Sequence, residues 1–147
     1  MFRSVMTISA LILFLFVITS FGFNIESLKN PETRKKAVEN LLNGLQNDNY
    51  GPKTSSAFML GEIRAEEAVY PLMNMLKTED CEESRIVAAL ALYKIGNPKG
   101  IFAVKQATRF DNSERVRKMC TNFYNETLRE RYGAIKFDKE DSEVAIR

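Results

Sequence analysis

At 147 residues, with 45% hydrophobic and 27% charged side chains, the chain has the length and composition of about one globular domain, so disorder is not the default for its body. Its 21 basic and 19 acidic residues leave a net charge of +2, too small to argue for nucleic acid as a partner. Histidine is absent, which excludes Ser-His-Asp and Cys-His catalysis and deprives any zinc site of its usual ligands; tryptophan is absent too.

The first four residues carry one charge, Arg3, and residues 5–23 then run without any through Leu11-Ile12-Leu13-Phe14-Leu15-Phe16-Val17-Ile18. A short basic start before such a run reads as a secretory signal, and Ser20-Phe21-Gly22 offers small residues for cleavage after Gly22. The same 19 uncharged residues also suffice to cross a bilayer as a helix. Residues 1–22 are therefore a signal peptide or an N-terminal membrane anchor, and the body is exported either way, to the periplasm or the extracellular space. No cysteine follows the apolar run, so a bacterial lipid anchor is not suggested.

Residues 24–29 lead into a first helix announced by Asn30 as cap and Pro31 as first helical residue, with Ala37, Val38, Leu41, Leu42 and Leu45 on one stripe. The polar run 46–51 ends it, and a second helix over 52–63 turns Ala57 and Leu60 inward, with Met59 and Ile63 beside them. Gly61 inside that helix costs about 1 kcal/mol relative to Ala, which implies a close backbone neighbour. Three residues, Arg64-Ala65-Glu66, separate it from Ala68, Val69, Leu72, Met73 and Leu76, so the neighbouring helices lie antiparallel. Pro71 demands a late start or a kink in this third helix. A fourth helix spans 82–95 behind acidic residues that suit its positive end; Gly96-Asn97-Pro98 terminates it and opens a fifth over 98–110. Asp111-Asn112-Ser113 caps a sixth over 114–131, and the charged tail 133–147 is predicted to fray.

One pattern organises the body: a shift of 32 carries residues 52–63 onto 84–95 and, again, onto 116–124. Lys53 maps to Arg85 and Arg117, Ala57 to Ala89, Leu60 to Leu92, Val69 to Ile101 and Leu72 to Val104. A period of that size means stacked units.

Leu60-Gly61, the Gly96-Asn97-Pro98 turn, the Ala88-Ala89 pair and the basic residue at Lys53, Arg85 and Arg117 together resemble HEAT repeats over about residues 30–131, most closely the short variety of phycobilin lyases and bacterial scaffold proteins. The resemblance implies an all-α short α-solenoid, a right-handed superhelix of antiparallel helix pairs with about six helices over residues 30–132. Helices two, four and six would be outer, and one, three and five inner. Arg64-Ala65-Glu66 departs from the family's Gly-Asp-Pro turn, and Thr108 stands where an inner helix usually has Leu.

The same shift aligns Tyr70 with Phe102, Asn74 with Gln106 and Lys77 with Arg109, all off the core stripe of inner helices. Such ladders would form a peptide-binding groove; the alternative is that the two aromatics fold back as packing. Cys81 and Cys120 point to different places, so no disulfide is expected. The acidic runs 79–83 and 138–143 lack calcium-loop spacing, and Asn125-Glu126-Thr127 fits a glycosylation acceptor but falls within a helix. The reading that follows is a non-catalytic scaffold or adaptor without cofactor or metal, which binds another protein, does not bind nucleic acid, and meets a membrane only through residues 1–23 if these are retained. A bilin lyase or lyase subunit is the alternative that the repeat subtype suggests.

Overall fold

A computed structural model describes residues 30–133, so the expected signal or anchor segment and the tail from residue 134 lie outside the described residues. The chain divides into two compact units, Met1–Lys36 and Ala37–Arg147. The described residues form six α-helices and no strand: α1 Pro31–Leu45, α2 Tyr50–Glu62, α3 Val69–Thr78, α4 Glu82–Ile95, α5 Pro98–Phe110 and α6 Glu114–Tyr132. None of them is long and apolar enough to cross a membrane.

In the first unit only the start of α1 is described. The Asn30 carboxamide accepts the Glu32 amide at 3.0 Å, and Glu32 pairs with Lys36 one turn on, an exposed contact worth a few tenths of a kcal/mol.

In the second unit most helix ends follow the sequence. Asn97 accepts from the Lys99 amide at 2.9 Å with Pro98 as first residue of α5, and Ser113 accepts from the Val116 amide at the start of α6. Gly96 ends α4 at φ +75°, a left-handed conformation that glycine adopts without steric cost. Two ends differ. Helix α2 begins at Tyr50 rather than Pro52, because Gly51 and Pro52 fall in the first turn, where backbone amides have no partner to lose. The expected late start of the third helix is met by a 3-10 turn, Glu66–Ala68, which leaves Pro71 in the first turn of α3. The turn before it is closed by Arg64 at φ +49°, the residue 32 before Gly96.

The packing is two-layered. Helix α4 lies between α2 and α6 in one layer and also packs against α3 and α5, which neighbour each other in the second layer. Helices two, four and six thus share one layer and helices three and five the other, the grouping that the resemblance implied, and these are called the outer and inner layers below. Small residues let the outer layer close: a Cβ on Gly61 would lie 2.7 Å from the Ala91 Cα, the close backbone neighbour that the sequence implied. Leu60, Leu72, Leu92, Val104, Val116 and Cys120 are fully buried around Ala57, Ala88 and Ala89. Removing such a side chain from water contributes roughly 1.5–3 kcal/mol each. From α1, Val38 enters this core and Leu41, Leu42 and Leu45 pack against it.

Residues 32 apart also carry opposite charges and meet: Lys94 pairs with Glu62, and Arg115 with Glu83. Tyr93 stacks on Phe123 with centroids 5.8 Å apart and donates its hydroxyl to Glu130 at 2.8 Å, a bond that raises its pKa.

Candidate functional site

The fourth residue of each outer helix is basic: Lys53 of α2, Arg85 of α4 and Arg117 of α6. Lys53 Nζ reaches Glu79 Oε1 at 2.8 Å, and Glu79 is the residue that ends α3. Arg85 is almost wholly buried, and it makes five contacts. Its Nε and Nη2 donate to Asp111 at 2.9 and 3.0 Å, Nη2 also to Asn112 Oδ1, and Nη1 to the carbonyls of Glu79 and Asp80. A buried guanidinium is tolerable only with its donors satisfied, and here the carboxylate of Asp111 beside it raises its pKa further. Asp111 Oδ1 in turn accepts the Ser113 amide at 2.8 Å, which fixes the turn into α6.

Arg85 and Asp111 of this frame, with Glu79, form the floor of a groove of about 650 Å3 at the C-terminal ends of α3 and α5. Its walls are apolar, Met73 and Leu76 from α3 facing Phe102, Ala103, Ala107 and Phe110 from α5, and Lys77, Gln106 and Asp80 supply polar groups. Arg85, with every N–H engaged, holds the shape of the floor. What the groove offers a ligand is apolar surface with an ammonium, an amide and a carboxylate beside it.

Of the six residues the sequence put forward, Lys77, Phe102 and Gln106 line the groove. Tyr70, Asn74 and Arg109 are exposed on the same two helices but are not among its lining. Tyr70 and Phe102 are 62% and 59% exposed, so the aromatics do not fold back as packing; Tyr70 instead accepts a hydrogen bond from Lys99 Nζ. Sequence reasoning missed Phe110, the most exposed large apolar residue among those described at 78%, because its partner under the shift is Thr78 and no aromatic recurs. It also missed the Arg85–Asp111 pair, although the bases at 53 and 85 and the acids at 79 and 111 share one phase.

The remaining polar features are accounted for locally. In the acidic run 79–83, Glu79 belongs to Lys53, while the Cys81 thiol, Glu83's own amide and Arg115 hold Glu83 down to about 2. Burial, with the negative Asp111 nearby, pushes the Cys120 thiol up to about 12; Cys81 is half-buried at the start of α4, and both thiols are free. Asn125 is exposed on α6, but the Thr127 hydroxyl of the acceptor triplet is buried and donates to the Phe123 carbonyl at 3.0 Å.

Comparison with curated proteins returns no match. The model of the family described as HEAT repeats matches residues 38–122, from within α1 to within α6, and so takes in both layers, the ion-pair frame and the groove. The chain belongs to the HEAT repeat family.

Proposed function

We propose that this HEAT-repeat chain is a non-catalytic adaptor that binds an extended segment of another protein along α3 and α5, and that it works outside the cytoplasm, either released or held at the membrane by residues 1–23. The observation that carries the reading is the placement of exposed aromatics. Tyr70, Phe102 and Phe110 stand on the inner helices at and beside an apolar groove, while the large aliphatic residues of the same helices are buried. Exposed apolar surface with a polar rim is the usual form of a protein-binding patch, and aromatic anchors carry most of the energy in such patches. HEAT repeats commonly bind protein partners, which supports the same class. The apolar, uncharged residues 5–23 support export.

The test is the double variant Tyr70→Ala/Phe102→Ala, followed by crosslinking in the native host and identification of the captured neighbour. Circular dichroism should show unchanged helical content, and capture should fall about tenfold or more, the effect of losing roughly 1.4 kcal/mol or more of anchor contact. Undiminished capture, or loss of helix, would refute the reading. Covalent transfer of a bilin to an acceptor protein on incubation would support the lyase alternative instead.

A further inference from the structure

Charge is distributed unequally between the two layers. Helices α3 and α5 contain no Asp or Glu, yet they carry Lys77, Lys99, Lys105 and Arg109, all exposed. In the outer layer Lys53, Arg85, Lys94, Arg115 and Arg129 each hold a carboxylate. In the inner layer Lys99 is given to the hydroxyl and ring of Tyr70, and Lys105 lies over the Tyr124 ring. Lys77 and Arg109 form no ion pair among the described residues. Of the acids that line the groove, Glu79 and Asp111 are held by Lys53 and Arg85, so Asp80 alone is left to offset Lys77 and the Arg109 next to Phe110. A last-turn cation also suits the negative end of a helix, which accounts for Lys77 and Arg109 one at a time. It does not account for a face that combines exposed aromatics with bases along its length and no acid on either helix.

We propose that the segment this face receives is acidic: an extended chain in which Asp or Glu residues flank an aromatic or aliphatic side chain. The inference rests on the protein-binding reading and names the chemistry of the partner. The apolar side chain enters the groove between Met73, Leu76 and Phe102, and the flanking carboxylates meet Lys77 and Arg109 at its rim. Rim charges govern encounter and choice of partner more than affinity, so the role assigned to these two cations is discrimination. Asp80 separates such a partner from a nucleic acid. A phosphate backbone carries a charge at every nucleotide and would set one against this carboxylate, whereas a peptide can place an amide N–H there.

The experiment is selection of a random peptide library, displayed on phage, against the immobilised full-length chain. Wild type is expected to retain peptides rich in Asp and Glu beside an aromatic or aliphatic residue. Lys77→Gln/Arg109→Gln should lose the acidic preference, and Lys77→Glu/Arg109→Glu should exchange it for Lys and Arg, with helical content unchanged by circular dichroism. A selected acidic peptide should bind the charge-reversed variant about tenfold more weakly than wild type, and the difference should shrink as salt is raised. Neutral or basic peptides retained by wild type, or an acidic preference that survives both substitutions, would overturn the inference and leave the adaptor reading standing. Failure to enrich any peptide would remove both. Binding of oligothymidylate in preference to the selected peptide would overturn it in favour of a nucleic-acid partner.

Discussion

Arg85 illustrates how much one side chain can hold. Its five donors tie the end of α3, through the Glu79 and Asp80 carbonyls, to the end of α5, through Asp111 and Asn112. Truncation would leave Asp111 buried beside unpaired carbonyls, and breaking a buried pair by removing one partner costs about 3–5 kcal/mol. Arg85→Ala should therefore lower stability by that amount in a urea titration followed at 222 nm, a large share of the 5–15 kcal/mol of a typical domain. Arg85→Lys should recover only part of it, since an ammonium has three donors and cannot span both acceptor groups. Equal stability of Arg85→Ala and wild type would mean that the frame is ornamental. Lys53 and its Glu79 partner, each about a fifth exposed, should matter less, because solvent screens what they gain.

At the scale of helices and their turns, two exchanges of one residue type are expected to act in opposite directions. Gly61→Ala improves helix propensity by about 1 kcal/mol, yet the added Cβ meets the Ala91 backbone of α4 at 2.7 Å, and backbone cannot give way as a flexible side chain does. Overpacking costs of about 1–3 kcal/mol should win, so the variant should melt several degrees lower. Arg64→Gly goes the other way. Arg64 holds φ +49°, where an L side chain is strained by about 1–2 kcal/mol, and glycine already does the same work 32 residues later at Gly96. Relief of that strain, less the added freedom of the unfolded chain, should raise stability by up to about 1 kcal/mol. A thermal melt of both variants decides it, and matching signs would contradict the account.

For the molecule as a whole, the second unit is built around α4, which touches α2, α3, α5 and α6. Losing it would expose both layers at once. Its amides near Ala88, Ala89 and Leu92, all but inaccessible to solvent, should be the slowest to exchange with deuterium, opening only with global unfolding. Helix α1, of which only Val38 is buried, should exchange far faster. Slow exchange confined to α6 would instead place the stable centre in the last unit.

Length, period and punctuation determined the helices. Gly96-Asn97-Pro98, Ser113 and the recurrence of apolar residues act over one or two turns, where neighbours in sequence are neighbours in space, and the shift of 32 identified units that stack because none can bury its face alone. The exact start of α2 was not readable, since Pro is equally at home at the first or third helical position. Only the tertiary structure decided which acid meets which base and which apolar residues come to border a groove. The reason is that a side chain's worth depends on what faces it across the layers: Arg85 is a surface charge in a list of residues and a buried clasp once α3 and α5 end beside it. The groove is of the same kind, for Met73, Leu76 and Phe110 are ordinary apolar residues until two helices set them opposite one another.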